Sequence, residues 1–178
     1  MVMKTTSWKI FFCLGLLVTA SIDPSAAQNS EVGLPIGSTP ERAVVEDLDG
    51  NTVDLGDMIG SKPALIEFWA TWCENCEALA PVLEQLHGRF GEEITFIAVA
   101  VGVGQNPRRI KRHLDRHGQP FPMLFDKTGA AVRAFQTPTT SYVVLLDSEG
   151  KVVYTGVGPQ QPIEQAVEAL VERDGEPN

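Results

Sequence analysis

Two cysteines separated by two residues are the strongest chemical signal in this sequence of 178 residues. Cys73 and Cys76 lie in Trp-Cys-Glu-Asn-Cys, at the start of an apolar pattern with helical spacing. Residues i and i+3 of a helix share one face, so the two sulfurs can form a disulfide or bind one partner together. Unpaired N–H groups and the helix dipole favour a thiolate at Cys73. We therefore predict that Cys73 attacks in disulfide exchange and that Cys76 resolves the mixed disulfide.

The same two thiolates could instead bind a metal, as in a metal-site protein or a metallochaperone. His113 and His117 follow at i and i+4, which completes a set of four possible zinc ligands. The spacing from Cys76 to His113 is far longer than the roughly 12 to 15 residues of a zinc finger. Copper(I) prefers soft ligands, but no methionine cluster accompanies the cysteines in the sequence. We expect no metal and no organic cofactor, because the Cys73–Cys76 disulfide itself stores the redox equivalent.

The N-terminus has the pattern of a secretory signal peptide. A positively charged start precedes an apolar run over residues 10–20, and small residues follow at 25–27. The run is shorter than the roughly 20 residues that a membrane-spanning helix needs. We expect a signal peptide over residues 1–27 that is cleaved after Ala27, with Ala20 as the alternative site. The protein would then be exported, to the periplasm, as a soluble chain without Cys13.

The charge balance argues against nucleic acid as a partner. The chain has 14 Lys and Arg against 23 Asp and Glu, for a net charge of -9. Binding to phosphate depends on clustered basic residues, and an acidic protein of this kind has few of them. One basic run interrupts the pattern, and a solvated helix face explains it more simply than a docking patch does. The run consists of Arg108, Arg109, Lys111, Arg112 and Arg116.

The apolar pattern predicts a single α/β domain over residues 41–178, after a flexible lead-in over residues 28–40. Parallel strands joined by helices, followed by an antiparallel hairpin, predict a mixed central sheet with helices on both faces. The cysteine pair then lies at the first strand-to-helix junction. The elements predicted in chain order are a hairpin over 43–55, a buried strand over 64–70, a helix from 73 to 90, a strand over 94–103, a helix from 106 to 117, a short strand and a short helix over 121–135, a hairpin over 141–155 and a helix from 163 to 171.

The cysteine segment resembles the active site of a known superfamily. Phe-Trp-Ala-Thr-Trp-Cys-Glu-Asn-Cys, at residues 68–76, is similar to the active-site segment of thioredoxins, and especially of the exported TlpA/ResA-like thiol-disulfide oxidoreductases. Thr-Pro-Thr-Thr, at residues 137–140, is similar to the loop in which that family has a cis-proline. The likeness extends over about residues 44–171. It implies a thioredoxin fold with an extra N-terminal β-hairpin, and thiol-disulfide exchange with other proteins.

The resemblance also implies a substrate-binding surface beside the cysteine pair. Trp72, directly before Cys73, would shield the disulfide and contact substrate. A cis bond before Pro138 would place that residue beside the cysteines, and Thr137 would offer its backbone to an extended substrate segment. Because only about 5 to 6% of X-Pro bonds in folded proteins are cis, a trans proline turn is the alternative.

Three polar residues are candidates for tuning the reaction. Glu67 lies in a strand that we expect to be buried on both faces, where desolvation raises the pKa of a carboxyl group. By resemblance, Glu67 relays protons to Cys76; the alternative is a carboxylate that reaches solvent at the sheet edge. Glu74 places a negative charge beside Cys73, which disfavours the thiolate and favours a reducing couple. Asn75 separates the cysteines and is a further candidate for redox tuning.

The resulting interpretation is an enzyme that reduces disulfides in exported, cysteine-containing proteins. A thiol carrier in the membrane is one candidate for the electron donor, which the sequence does not identify. Apocytochrome cysteines, copper-site cysteines and misoxidised proteins all stay open as substrates, and the oligomeric state is not predicted. A peroxiredoxin is disfavoured, because the Pro-x-x-x-Thr-x-x-Cys pattern of that class is absent from the sequence.

Overall fold

The structure, a computed structural model, describes residues 32–118 and 121–174, and the predicted signal peptide lies outside the described residues. Seven strands and five helices are defined in these ranges. The strands are β1 (Val44–Asp47), β2 (Thr52–Asp54), β3 (Ala64–Trp69), β4 (Thr95–Val101), β5 (Met123–Asp126), β6 (Tyr142–Leu146) and β7 (Val152–Val157). The helices are α1 (Leu55–Ile59), α2 (Glu74–Phe90), α3 (Pro107–His117), α4 (Ala130–Ala134) and α5 (Ile163–Asp174).

The strands form one mixed sheet in the order β2-β1-β5-β4-β3-β6-β7. Strands β3, β4 and β5 run parallel, as expected for strands that are joined by helices. The N-terminal hairpin of β1 and β2 extends the sheet by antiparallel pairing of β1 with β5. At the other side, β6 pairs antiparallel with β3 and β7 with β6. The predicted mixed sheet with an extra N-terminal hairpin is therefore confirmed.

The two faces of the sheet are covered by different helices. Successive side chains of a strand point to opposite faces, so Trp69 and Phe68 of β3 mark the two sides. The Trp69 ring lies 5.3 Å from the ring of His113 on α3. The Phe68 ring lies 5.4 Å from the ring of Phe135, which directly follows α4, and 6.0 Å from that of Tyr142. Helices consequently lie on both faces, as predicted.

Helix α2 is held against the sheet by the leucines that the sequence pattern indicates. Leu79, Leu83 and Leu86 are buried, and every residue of β3 beneath them is buried as well. Pro81 lies inside α2 on its exposed side. In the described ranges every helix falls short of the length and apolar character that a membrane-spanning helix requires.

One short helix departs from the predicted elements. The second strand of the N-terminal hairpin ends at Asp54, and α1 follows over residues 55–59. Asp54 is the N-cap of this helix, and its carboxylate accepts a hydrogen bond of 2.9 Å from the N–H of Gly56. A side chain that satisfies a free N–H of the first turn favours helix over a further strand residue.

The lead-in also differs from the flexible segment that we expect, in the part that the structure describes. Leu34 is buried, and its N–H donates a hydrogen bond of 3.1 Å to the Tyr142 hydroxyl. The N–H of Gly37 donates to the Val152 carbonyl at 2.7 Å, and the N–H of Val152 donates to the Ser38 carbonyl at 2.8 Å. These bonds attach the segment to β6 and β7.

Candidate active site

The two cysteines form a disulfide bond at the junction of β3 and α2. Their Cα atoms are 5.3 Å apart. Cys73 is the N-cap residue of α2, and its Sγ accepts a hydrogen bond of 3.1 Å from the N–H of Cys76. Only 6% of Cys73 and 4% of Cys76 are exposed, so the surrounding chain covers most of the disulfide. The predicted placement of the pair at the positive end of the helix is confirmed.

Trp72 lies in the loop between β3 and α2, and its side chain packs against the loop that follows β4. Its indole Nε1 donates a hydrogen bond of 2.9 Å to the carbonyl of Val103, and 46% of the residue is exposed. Val103 is 70% exposed beside it. Gly104 has a φ of +67°, and a Cβ at this position would lie 3.3 Å from the indole nitrogen. The glycine thus allows the ring to lie close to the loop, while leaving an exposed apolar pair next to the disulfide.

A glutamine that the sequence analysis missed connects the same two loops. The N–H of Thr71 donates to Gln105 Oε1 at 2.9 Å, and Gln105 Nε2 donates to the Val101 carbonyl at 2.7 Å. The carboxyl ends of adjacent parallel strands meet at one edge of a sheet, so the loops after β3 and β4 had to be neighbours. The rule predicts that the two loops are neighbours, but it does not identify Gln105 as the residue that connects them.

Glu67 is buried inside the sheet and faces the same side as α2. Among the described residues no side chain or backbone group forms a hydrogen bond with its carboxyl group, and burial raises the pKa of Glu67 to about 8. Burial of a carboxylate without a partner favours the neutral acid, which is the reason for the shift. The predicted rise in the pKa of Glu67 is confirmed.

Glu67 and Cys76 line the same cavity, which has a volume of about 270 Å³. The wall contains apolar side chains from the sheet, α2 and α3, together with several groups that can carry a proton. The protonatable groups besides Glu67 are Glu77, Glu84, His113 and His117. The cavity therefore brings the buried carboxyl group, the second cysteine and groups nearer the surface to one space.

His113 and His117, the two histidines of the zinc alternative, contact each other. The rings of His113 and His117 stack with centroids 4.4 Å apart. Burial lowers the pKa of His113, and the neighbouring His117 lowers it further. Within residues 32–118 and 121–174 no group of three or more His, Cys, Asp or Glu side chains is arranged to hold a metal ion. The four residues of the zinc alternative are thus not assembled into a metal site in this part of the chain.

Glu74 and Asn75 form the exposed side of the first turn of α2. The structure places Glu74 next to Cys73 in the chain, with its side chain toward solvent. Their predicted roles in redox tuning stay predictions.

The loop of Thr137 and Pro138 lies at the same edge of the sheet as the disulfide. Phe68 of β3 pairs with Tyr142 at the start of β6, so the segment before β6 lies next to the end of β3. The expected cis bond before Pro138 is wrong, because this peptide bond is trans. The trans form is the more stable by roughly 0.5 to 1 kcal/mol. Positive φ angles at Gln136 (46°) and Ser141 (57°) turn the chain on either side of the proline.

The expected backbone docking at Thr137 is also restricted by the structure. The N–H of Thr137 already donates a hydrogen bond of 2.9 Å to the Val132 carbonyl. A substrate segment that adds as a strand would therefore have to bond to the carbonyl oxygen of Thr137 instead. Pro138 itself is exposed.

Comparison with known proteins places this geometry in a family. The family model described as Redoxin matches residues 18–170. The chain is 30% identical over 129 residues to the thiol-disulfide oxidoreductase ResA of Halalkalibacterium halodurans, which covers 71% of this chain and 72% of that protein. This likeness confirms the resemblance that the cysteine segment indicates.

Solved structures extend the likeness to the fold. A putative thiol:disulfide interchange protein DsbE from Chlorobium tepidum superposes with a TM-score of 0.67 at 22% identity, over 79% of this chain and 97% of that one. The thioredoxin domain of a thiol-disulfide oxidoreductase from Bacteroides vulgatus gives a TM-score of 0.65 at 21% identity, over 80% of this chain and 99% of that one. The predicted thioredoxin fold is confirmed.

Proposed function

Because the chain belongs to the Redoxin family and is a thiol-disulfide oxidoreductase, we propose that it reduces disulfide bonds in exported proteins. The observation that carries the proposal is the Cys73–Cys76 disulfide at the start of α2, with Cys73 as the N-cap. The helix dipole and the N–H of Cys76 both favour negative charge on the Cys73 sulfur. Cys73 is therefore the attacking thiolate.

The reaction proceeds in two exchange steps. In the reduced protein, Cys73 Sγ attacks one sulfur of the substrate disulfide, whose other sulfur leaves as a thiolate and takes a proton from water. Cys76 then loses its proton and attacks Cys73 Sγ, so that the mixed disulfide breaks and the second substrate thiol leaves. The substrate has gained two electrons, and the protein has the disulfide that the structure contains. A thiol donor, for which we propose a membrane carrier, restores the dithiol.

Glu67 is the proposed acceptor of the Cys76 proton. The two residues line one cavity, and the Glu67 carboxyl group has a pKa of about 8, close to that of an ordinary thiol. Proton transfer between groups of similar pKa needs little energy in either direction. The cavity gives the proton a route from Glu67 to the surface.

Two further features support the reducing direction and the export. Glu74 opposes a strongly stabilised thiolate at Cys73, whereas strong oxidants depend on a stabilised reduced form. The charged start and apolar run at the N-terminus support export to an oxidising compartment, where disulfides persist and need reduction.

A trapping experiment tests the order of the two cysteines. We expect the reduced Cys76→Ser variant to stall as a mixed disulfide with a peptide that contains one disulfide, because no resolving thiol remains. The matched Cys73→Ser variant should form this mixed disulfide far more slowly or not at all. Mass spectrometry of quenched samples distinguishes the species. Rapid trapping by Cys73→Ser, or no reaction of the unmodified protein with any disulfide, would disprove the proposal.

A further inference from the structure

Three arginines of α3 form a positive surface in an acidic protein. Arg109, Arg112 and Arg116 stand at i, i+3 and i+7, so they share one side of the helix, and together with Asp115 they line a hollow at the surface. We call these three residues the arginine face. The protein as a whole has a net charge of -9, so the sign of this face is opposite to the net charge of the protein.

The arginine face is not used by the ion pairs of the fold. Within the described ranges the salt bridges of the protein involve other basic residues, and none joins a carboxylate to an arginine of this face. Lys111, on the same helix, does pair with Asp49 at 2.5 Å. All three arginines are exposed. Their charges are therefore available to a partner from outside.

The arginine face begins where the apolar surface beside the disulfide ends. Arg109 Nη1 donates a hydrogen bond of 3.2 Å to the carbonyl of Gly104, and Trp72 Nε1 donates to the carbonyl of Val103 at 2.9 Å. Two consecutive carbonyls thus hold the first arginine of the face and the tryptophan that precedes Cys73. Trp72 and Val103 are both exposed, and the loop of Val103 and Gly104 joins the residue before Cys73 to the arginine face.

We propose that the arginine face binds an acidic segment close to the reacting cysteine of a protein substrate. The face extends over about 10 Å of helix, which an extended segment of about three to four residues covers. An apolar residue between that segment and the cysteine would contact Trp72 and Val103. Carboxylates and guanidinium groups form paired hydrogen bonds, which makes an Asp- or Glu-rich segment the complementary ligand. This inference rests on the proposed function and names its substrate class.

The test uses the reduced full-length protein and three synthetic peptide disulfides. The peptides share one disulfide and one apolar residue, and their flanking residues are acidic, neutral or basic. At low salt we expect the acidic peptide to be reduced about tenfold faster than the neutral one, and the basic peptide more slowly, because charge attraction raises association rates. Near 1 M salt the Debye length falls to roughly 3 Å, and the three rates should converge.

Charge-reversal variants locate the effect. Arg112→Glu/Arg116→Glu, which retains the Arg109 bond to Gly104, should abolish the preference for the acidic peptide while the neutral peptide keeps its rate within about twofold. Arg112→Gln/Arg116→Gln removes the two charges without reversing them and should weaken the preference in part. The matched control is Lys62→Glu/Lys151→Glu, which makes the same charge change at the opposite end of the sheet, where both lysines are exposed. This control should leave the preference nearly intact.

The outcomes separate this inference from the proposed function. If the unmodified protein reduces none of the peptides, the proposed function fails. If it reduces all three at equal rates, the arginine face is not a substrate site. The same conclusion follows if the lysine control variant loses the preference as fully as the α3 charge-reversal variant does. The inference would also be overturned by a different pattern of results. In that pattern the protein binds vesicles of anionic phospholipid, the α3 charge-reversal variant loses this binding, and the unmodified protein shows no preference among the peptides.

Discussion

At the scale of single residues, Glu67 has the least ordinary environment. It is a carboxyl group in a fully buried strand, and no hydrogen bond to it is present in the described part of the chain. Burial raises its pKa to about 8, and it shares a cavity with Cys76. Burial of such a carboxyl group lowers the stability of the fold, which supports a role for Glu67 in the chemistry.

Glu67→Gln should slow resolution more than attack. The amide keeps the size of the side chain but cannot accept the Cys76 proton, so we expect resolution to slow by about tenfold or more. Attack by Cys73 should change by less than about twofold, since Cys73 is activated by the helix start instead. Rapid quenching with mass spectrometry measures both steps, as formation and decay of the mixed disulfide.

The pH profile supplies the second readout for Glu67. In the unmodified protein the resolution rate should rise toward pH 8, as the Glu67 carboxyl group becomes able to accept a proton, with an inflection that is missing in Glu67→Gln. Equal slowing of attack and resolution, with the inflection retained, would contradict the relay.

At the scale of elements, Gln105 holds together the loops after β3 and β4. Gln105→Ala leaves the N–H of Thr71 without its acceptor, so we expect the oxidised protein to lose about 1 to 3 kcal/mol in the free energy of unfolding. Gln105→Glu retains an acceptor oxygen and should cost less. Urea denaturation measures the difference, and the exposed Gln160→Ala serves as a control with a change below about 0.5 kcal/mol. Similar losses in both alanine variants would show that this connection is unimportant.

The elements that the sequence predicts best are those with local signals at both ends. Helix α3 begins at Pro107 with Asn106 as its N-cap and ends before Gly118, as predicted. Asn106 Oδ1 accepts a hydrogen bond of 3.0 Å from the N–H of Arg109, which is a contact within one turn. The cysteine pair and its helix are predictable for the same reason, because the motif, the apolar strand and the leucine spacing are all local.

The features that the sequence does not predict depend on distant contacts. Leu34 is fixed by Tyr142, 108 residues along the chain, so no local pattern could show that the lead-in is attached. Gln105 acts on Thr71 across 34 residues. The short helix α1 is a different case, since Asp54 is a local cap that the hairpin pattern concealed.

At the scale of the whole molecule, Glu67 makes the stability depend on pH. The pKa of its carboxyl group is 4.5 in the unfolded chain and about 8 in the folded protein. Between these values the folded protein holds a proton that the unfolded chain has released. The stabilising contribution of this proton is complete below about pH 4.5 and is lost as the pH rises to about 8. Each pH unit in this window corresponds to about 1.4 kcal/mol.

Glu67→Gln should therefore become progressively more stable than the unmodified protein between pH 5 and pH 8, and the difference should level off above about pH 8. Denaturant unfolding of both oxidised proteins at a series of pH values measures this difference, in which the other titrating groups cancel. Glu92→Gln removes an exposed carboxyl group just beyond α2, and we expect no such trend for it. A constant difference between Glu67→Gln and the unmodified protein would mean that Glu67 is not protonated on folding.

The hydrogen bond from the N–H of Cys76 to Cys73 Sγ links the charge on sulfur to a single backbone proton. A thiolate accepts such a bond more strongly than a neutral sulfur does. The amide resonance of Cys76 in a nitrogen-15 spectrum of the reduced protein should consequently move as Cys73 ionises. The ionisation of the nucleophile can then be followed during an NMR titration, without an alkylating reagent and without altering either thiol.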